Sequence, residues 1–170
     1  ALLMHVERNM RKIYDFSPIR YLNPTTGVSR ISYFNVALGA YAEKKARELV
    51  KQIEYLTKSS KREFVRAFFN DEGCMDYRPD RNVRQIRGYQ KNIQTLRLIS
   101  KLLLDFGVVS QIQKPNEVVI SGRENLKRFQ EEIGFSPGVY INGNRTNSLW
   151  KKHLEKRDLL DRAINSYVKT

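Results

Sequence analysis

Apolar residues recur every three or four positions in several stretches of the chain, which is the spacing of an amphipathic helix. Residues 2–16 show this spacing, and the predicted helix ends at Ser17-Pro18 because proline cannot continue a helix. Ser60, with Glu63 three residues later, predicts the capped start of a shorter helix that Gly73 closes. The remaining predicted helices cover residues 41–56, 92–106, 123–133 and 149–168.

Runs of β-branched and aromatic residues between turn-forming clusters predict the strands. Residues 19–22 and 30–36 form a predicted hairpin around Asn23-Pro24, and residues 108–112 and 118–120 form another around Pro115-Asn116. Two further strands are predicted at 74–78 and 82–89. Side chains alternate between the faces of a strand, so Arg84 and Arg87 are predicted on opposite faces.

The order of these elements repeats. A helix, a hairpin and a second helix fill the first 56 residues, and the same order returns at an offset of roughly 80–90 residues, too long for a solenoid unit. Asp15-Phe16 and Asp105-Phe106 stand at the matching helix-to-strand junctions. The chain therefore reads as a pseudo-repeat. Its second copy has an additional helix and strand pair at 60–89, and its first copy is expected to be truncated.

Charge adds a class of partner to this picture. The 170 residues include 31 Lys and Arg against 18 Asp and Glu, a formal net charge of +13. The basic residues are spread from Arg8 to Lys169, so we assign them to a folded surface and expect a polyanionic partner. Nucleic acid is the first expectation, and ribosome association or binding to an anionic membrane surface are the alternatives.

Other chemistries find little support in the sequence. The longest apolar runs fall short of the roughly 18 residues of a transmembrane helix, which predicts a soluble, unexported protein. We expect it to be intracellular and cytoplasmic, and nucleoid-associated when bound to DNA if the polyanionic partner is DNA. The single cysteine, Cys74, has no partner for a disulfide, and no CxxC pair accompanies His5 or His153 to suggest zinc.

One segment carries a recognisable motif. Residues 64–73, Phe-Val-Arg-Ala-Phe-Phe-Asn-Asp-Glu-Gly, resemble the motif of LAGLIDADG homing endonucleases, in which a helix ends in an acidic residue followed by glycine. Later segments resemble successive landmarks of the archaeal branch borne by introns and inteins, at family spacing. They are residues 86–92, 104–110, 119–129 and 133–135. The resemblance covers residues 60–135 and, less closely, 1–56.

The resemblance implies an α+β fold built from αββαββα units in a pseudo-twofold arrangement, with antiparallel sheets that saddle the DNA major groove. Residues 1–56 would be the C-terminal helix-hairpin-helix part of a first repeat, and 57–135 a complete second repeat. Residues 136–170 would form a helical C-terminal extension. The small Ala67 suits the close packing of two motif helices.

The resemblance also implies hydrolysis of one phosphodiester on each DNA strand, assisted by Mg²⁺ or another divalent metal such as Mn²⁺. Glu72 matches the acidic residue before the closing glycine and would be both the catalytic acid and the metal ligand. Gln90 and Lys91 match a polar pair beside the site, where Lys91 would stabilise the scissile phosphate or orient water. Asn70 stands where the family often has Asp, at a position we interpret as structural.

Double-stranded DNA is the implied partner, contacted by basic and amide side chains on the predicted sheets. The candidate DNA-binding residues are Arg78, Arg81, Arg84, Arg87, Gln111, Gln113 and Lys114, with Arg20 and Arg30 as their first-repeat equivalents. The simpler interpretation of the arginine series is a solvated face, and that of Gln90 and Lys91 is a solvated junction between a strand and a helix.

The chain contains one of the two acids that cleavage of both strands requires. We therefore expect the other acidic motif helix to come from a missing N-terminal segment or a second protomer. The alternative is a protein of the same fold that binds DNA or RNA without cleaving it, as maturases and transcription regulators of this type do. A third possibility is an inactive fragment that binds DNA weakly and in a salt-sensitive way.

Overall fold

The protein is represented by a computed structural model that describes residues 2–25, 29–141, 150 and 154–167. The chain divides into two compact units, residues 1–52 and residues 53–170. Among the residues described, no helix is long and apolar enough to cross a membrane.

Unit 1 consists of α1 (Leu2–Tyr14), β1 (Ile19–Leu22), β2 (Ser29–Ser32) and α2 (Val36–Gln52). The two strands form an antiparallel hairpin in which Tyr21 lies opposite Arg30. None of the side chains described in this unit is buried, and Leu22 and Val36 are 61% and 92% exposed. The helix-hairpin-helix order is the predicted one.

The start of α2 differs from the prediction. The strand predicted over 30–36 stops at Ser32, and the helix begins at Val36 instead of Tyr41. The Asn35 side chain accepts a hydrogen bond from the backbone N–H of Leu38 at 2.9 Å. This bond satisfies one of the free N–H groups at a helix start, so Asn35 begins a helix inside what its neighbours suggest is a strand.

Unit 2 contains an αββαββα succession followed by a further helix, and its four strands form one antiparallel sheet in the order β3-β4-β6-β5. The elements are α3 (Lys58–Asp71), β3 (Gly73–Arg78), β4 (Val83–Tyr89), α4 (Ile93–Leu104), β5 (Gln111–Gln113), β6 (Glu117–Ser121), α5 (Arg123–Glu132) and α6 (Lys156–Asn165). This is the predicted α+β succession with an antiparallel sheet.

The helices of unit 2 cover one face of the sheet. Ile86 and Ile120 lie on that face and are fully buried, together with Phe69 from α3, Leu103 from α4 and Phe129 from α5. The Phe69 and Phe129 rings meet edge to face, with their centroids 5.1 Å apart. Burial of large apolar side chains from every layer gives unit 2 one continuous core.

Helix α3 begins earlier than predicted. Its N-cap is Thr57, whose side-chain oxygen accepts from the backbone N–H of Ser60 at 3.2 Å. Glu63 does not close a capping box with Ser60; it forms an ion pair with Arg66 at 2.6 Å. The prediction was wrong because Thr57 and Ser60 both have capping side chains, and the chain uses the first of them.

Three other predicted boundaries also need correction. Residues 108–110 are not a strand, because the N–H of Val109 donates to the Asn125 side chain at 3.1 Å instead of a neighbouring strand. The strand predicted from residue 82 begins at Val83, and Arg81, which was expected on the sheet, belongs to a 3-10 turn that begins at Pro79 and separates β3 from β4. The last helix is shorter than 149–168, and Leu149 and Val168 lie outside the described residues.

Arginine side chains close the C-terminal ends of two helices in unit 2. Arg62 and Arg66 of α3 donate to the carbonyl oxygens of Glu132 and Ile133 at the end of α5, at 2.5 and 2.7 Å. Arg84 of β4 donates to the Ser166 carbonyl at the end of α6, at 3.1 Å. Cations are favourable at the negative end of a helix dipole, so part of the basic character of the chain is structural.

Candidate nucleic-acid interface and acidic helix end

The face of the unit 2 sheet opposite the helices is defined by strand register. Met75, Ile86, Val118 and Ile120 are buried against the helices, so the residues that alternate with them point the other way. We call this other side the open face. Its members are Cys74, Asp76, Arg78, Val83, Gln85, Arg87, Tyr89, Gln111, Gln113, Glu117, Val119 and Ser121.

A network of ion pairs crosses three strands of the open face. Arg87 of β4 donates through Nε and Nη2 to one carboxylate oxygen of Glu117 on β6, with the Nε contact at 3.0 Å, and through Nη1 to Asp76 on β3 at 3.2 Å. Arg78 donates to both carboxylate oxygens of Asp76, at 2.7 and 2.5 Å. Asp76 therefore bridges two arginines, and Arg87 bridges two carboxylates.

This network changes the acidity of its members. Burial alone would raise the pKa of Asp76, but the hydrogen bonds and positive charges of Arg78 and Arg87 outweigh it and hold that pKa below the ordinary value of 3.8. Cys74 retains exposed surface, yet the burial of its thiol, together with the Asp76 charge, raises its pKa. The thiol is therefore a poorer nucleophile than a free cysteine.

The open face has no net charge among its charged members, since Arg78 and Arg87 are matched by Asp76 and Glu117. Besides the Cys74 thiol, its other polar side chains are amides and hydroxyls: Gln85, Gln111, Gln113, Tyr89 and Ser121. Amide side chains present paired donors and acceptors of the kind that base edges require. The sheet thus combines a neutral ion-pair network with neutral hydrogen-bonding groups, although the whole chain carries a charge of +13.

Glu72 ends helix α3. Its backbone N–H bonds back to the Phe68 carbonyl at 2.8 Å, and its carbonyl accepts from the N–H of Tyr89 at the end of β4, at 3.2 Å. Its side chain is exposed and forms no hydrogen bond or ion pair within the part of the chain that is described. An unpartnered carboxylate is thus presented where the motif helix meets the sheet.

Two glycines allow α3 to approach the sheet at this point. Gly73 and Gly88 lie opposite each other on β3 and β4. A Cβ on Gly73 would lie 2.4 Å from the Phe69 carbonyl oxygen, and one on Gly88 would lie 2.6 Å from the Phe68 ring. Both distances are shorter than side-chain contacts permit, so only glycine fits at these two positions. The two glycines let α3 lie close to the sheet and thereby determine where Glu72 is placed.

The strand end that bonds to Glu72 also carries the predicted polar pair. The N–H of Gln90 donates to the Asn116 carbonyl at 3.1 Å, and its side-chain oxygen accepts from the N–H of Asn92 at 3.4 Å. Lys91 is exposed and has no ion-pair partner among the described residues. The backbone therefore brings Glu72, Gln90 and Lys91 to one end of unit 2.

The other candidate DNA-binding residues occupy several environments. Arg84 faces the helices, where it donates to Ser166 and lies over the Tyr167 ring at 4.7 Å. Arg84 and Arg87 therefore lie on different faces of β4, as the alternation of side chains predicted. Arg81 is exposed beside Asp80. Lys114 is exposed in the turn between β5 and β6.

Arg20 and Arg30 lie on the unit 1 hairpin, and the register places them on opposite faces, since Arg30 is opposite Tyr21. Arg20 is paired with Glu7. Arg30 lies over the Tyr21 ring, 5.3 Å from its centroid.

Among the polar members of the open face that sequence reasoning missed are Asp76, Gln85 and Glu117. Each lies on or beside a predicted strand, and the period-two alternation that separated Arg84 from Arg87 also places Gln85 on the face of Arg87. Pairing β4 with β6 was needed to bring Glu117 beside Arg87, because these residues are 30 positions apart. The proximity of Glu117 and Arg87 depends on the register between two strands, and the residue pattern of one strand does not reveal it.

A metal site built from protein side chains alone would need several ligands in one place. The described residues contain no group of three or more His, Cys, Asp and Glu suited to hold a metal. Mg²⁺ commonly takes one or two carboxylates and completes its shell with water and phosphate oxygens. The free Glu72 carboxylate fits that partial ligand set.

Comparison with known proteins agrees with this geometry. Residues 59–134 match the family model described as the LAGLIDADG-like domain. A stretch of 75 residues is 37% identical to the probable translation initiation factor IF-2 of Thermococcus kodakarensis, and it covers 43% of this chain but 6% of that protein.

Among solved structures, the chain resembles a mesophilic variant of the homing endonuclease I-DmoI. The TM-score is 0.56 at 16% sequence identity, over 79% of this chain and 75% of that one. At such low identity the likeness establishes the fold, which is the LAGLIDADG homing-endonuclease fold that the sequence implied.

Proposed function

We propose that this chain, whose residues 59–134 are a LAGLIDADG-like domain, belongs to a site-specific endonuclease that cleaves double-stranded DNA with a divalent metal. One observation carries the proposal: the motif helix ends in the exposed, unpartnered carboxylate of Glu72. A carboxylate at a helix C-terminus is electrostatically unfavourable, so its placement there points to a positively charged ligand.

Glu72 is the proposed ligand for Mg²⁺ or Mn²⁺. Such an ion, when bound, stabilises charge on phosphate oxygens and lowers the pKa of an attacking water. Lys91 contributes an exposed ammonium group that stabilises the scissile phosphate, and Gln90 orients the water. The hydrogen bond from the backbone N–H of Tyr89 to the carbonyl of Glu72 supports this assignment, because it holds the end of β4, which leads into Gln90 and Lys91, next to Glu72.

The open face is the proposed surface for base recognition. Gln111 and Gln113 were expected to contact DNA, and Gln85 joins them on the same face. Arg78 and Arg87 enter the interface as parts of the ion-pair network, which fixes where their remaining N–H groups point. These donors suit guanine, and the amides suit adenine.

Phosphate contacts fall to exposed cations around that face, of which Arg81 and Lys114 are the strongest candidates. Arg20 and Arg30 of unit 1 are also proposed DNA contacts, and because they lie on opposite faces of the hairpin, a duplex bound to one face would meet one of them. Arg84 acts on DNA only indirectly, because its guanidinium holds the end of α6.

Cleavage of both strands needs a second acidic helix end. We propose that a second copy of the chain, or a segment beyond these 170 residues, supplies it. The chain spans a small fraction of the initiation factor it matches, so the activity of that factor is not carried over.

The test is a cleavage assay on a pool of random DNA duplexes with Mg²⁺ or Mn²⁺, comparing the parent chain with Glu72→Gln. We expect loss of nicking by about 100-fold or more, with DNA binding in Ca²⁺ unchanged within about twofold. Glu63→Gln is the matched control, because Glu63 is an exposed glutamate on the same helix, paired only with Arg66.

The rival function is sequence-specific DNA or RNA binding without cleavage. It is favoured by the single carboxylate at the site, since no cluster of three potential metal ligands occurs in the described ranges. Specific binding with no nicking by the parent chain, even after a second acidic helix is supplied, would establish this rival and remove the endonuclease proposal.

A further inference from the structure

The ammonium group of Lys156 lies beneath the end of the motif helix. Its Nζ donates to the carbonyl oxygens of Phe69 at 3.2 Å, Asn70 at 2.6 Å and Gly73 at 2.5 Å. Lysine has three N–H donors, and each of them has an acceptor here. Lys156 is 6% exposed, and among the described residues of unit 2 it is the charged residue that is buried.

These hydrogen bonds stabilise the C-terminal end of α3, where negative charge accumulates. The last turn carries Asp71 and is followed at once by Glu72, so two carboxylates stand at the negative end of the helix dipole. The free carbonyl groups of that turn also need donors. The buried ammonium supplies donors to the carbonyl groups around Glu72 and offsets part of the negative charge of the helix end, while the Glu72 carboxylate itself stays exposed and is not bonded to it.

Lys156 is itself fixed in place by the backbone around it. It is the first residue of α6, and its N–H donates to the Val139 carbonyl at 2.9 Å. Tyr140 and Glu155 form an isolated antiparallel bridge just before it. The side chain therefore reaches α3 from an anchored segment, and that segment lies beyond the 59–134 match to the family model.

We propose that Lys156 is a positioning residue for Glu72: its three hydrogen bonds hold the carbonyl groups of Phe69, Asn70 and Gly73, and so set the place and direction from which the Glu72 carboxylate meets a divalent cation. This inference rests on the proposed metal-binding role of Glu72. It assigns to the C-terminal segment a part in the site that the LAGLIDADG-like segment does not supply.

The experiment uses the full chain and follows Mn²⁺ through its broadening of backbone amide NMR signals at Glu72, Gly73 and Tyr89. Lys156→Met removes the charge and all three donors at similar length, and Lys156→Arg keeps charge and donors. Lys101→Met is the matched control, because Lys101 is exposed and pairs only with Glu54. Glu72→Gln reports on the metal site itself.

We expect Lys156→Met to weaken Mn²⁺ binding about tenfold, the usual effect of losing a group that orients a metal ligand, and Lys156→Arg to restore most of it. All titrations are run at a temperature where each variant is fully folded by circular dichroism. Amide hydrogen exchange should accelerate in Lys156→Met at Glu72 and Tyr89, while β6 stays protected. Lys101→Met should behave as the parent.

Two different failures are distinguishable. Unchanged Mn²⁺ broadening in Glu72→Gln would overturn the proposed metal role of Glu72, whatever Lys156 does. Loss of broadening in Glu72→Gln with parent-like Mn²⁺ affinity in Lys156→Met would leave that role standing and overturn the positioning role of Lys156.

Discussion

Two parts of this molecule share an element order and differ in what covers them. Unit 1 runs α1-β1-β2-α2, and unit 2 contains the same helix-hairpin-helix order in α4-β5-β6-α5. In unit 2 Leu103 is completely buried, whereas Leu22 of unit 1 is 61% exposed. The unit 2 hairpin is joined edge to edge by β4, which pairs with β3, while α3 and α6 pack against β3, and together these additions extend the sheet and complete one shared core.

The comparison shows that helix-hairpin-helix is not a self-sufficient packing unit. A two-stranded hairpin offers too little surface to bury the apolar sides of two helices, and isolated hairpins are marginal in water. The motif helix therefore has a structural role besides its proposed chemistry, because Val65 and Phe69 of α3 are part of the core of unit 2.

The largest contrast is expected for one leucine from each unit. Leu103→Ala should lower the free energy of unfolding of unit 2 by about 3 kcal/mol, because it opens a cavity in a filled core. Leu22→Ala should change it by less than about 0.5 kcal/mol. Trp150, which stacks on Tyr77 with centroids 5.9 Å apart, reports unit 2 unfolding by fluorescence in urea. Equal effects would contradict the contrast in burial.

Alanine at one glycine in each unit should sharpen the same contrast. Gly73→Ala should destabilise unit 2 by about 2–3 kcal/mol, because the new methyl group meets the Phe69 backbone. Gly39→Ala should stabilise α2 by about 0.5–1 kcal/mol, since nothing lies within 4 Å of that position and alanine favours a helix. Thermal unfolding followed by circular dichroism measures both effects. Destabilisation by Gly39→Ala would contradict the open surroundings of Gly39, because it would mean that another group packs against this position.

A smaller contrast is expected for one ion pair in each unit. Asp76→Asn should lower the stability of unit 2 by about 1 kcal/mol at pH 7, because Arg78 and Arg87 lose a shared carboxylate. Glu43→Gln, which breaks an exposed pair with Arg47 in α2, should cost less than about 0.5 kcal/mol.

The Asp76 effect has a defined pH window. Its folded pKa lies below the ordinary value of 3.8, so its contribution is complete above that value and disappears as the pH falls through the lowered one. The parent and Asp76→Asn should therefore converge in urea unfolding as the pH falls well below 3.8. A difference that does not shrink as the solution is acidified below that value would mean that the carboxylate charge is not what stabilises the network.

The sequence predicted helices well where apolar periodicity is strong. Helix α4 was expected over 92–106 and occupies Ile93–Leu104, and α5 was expected over 123–133 and occupies Arg123–Glu132. Three of the wrong boundaries share one cause, a side chain that accepts a hydrogen bond from a backbone N–H group. Asn35, Thr57 and Asn125 each do this, and periodicity carries no trace of it.

In the candidate site, too, local features could be predicted from the sequence and distant pairings could not. The motif brought attention to Glu72, and alternation separated Arg84 from Arg87, both from local pattern alone. The partners of these arginines are distant in sequence: Ser166 is 82 residues from Arg84, and Glu117 is 30 residues from Arg87. Which arginines stay available for a ligand depends on such distant pairings, so it could not be predicted from the sequence of one strand.

The Asp76-Arg87-Glu117 network has a consequence for changing which DNA the protein would recognise. A substitution at any one of these residues releases charge or hydrogen-bonding groups on its neighbours, so its effect cannot be assigned to one base pair. Directly contacting residues combine non-additively. Altered specificity would therefore have to be selected with these three positions varied together, as a single unit of recognition, while Gln111 and Gln113 on the edge strand can be varied one at a time.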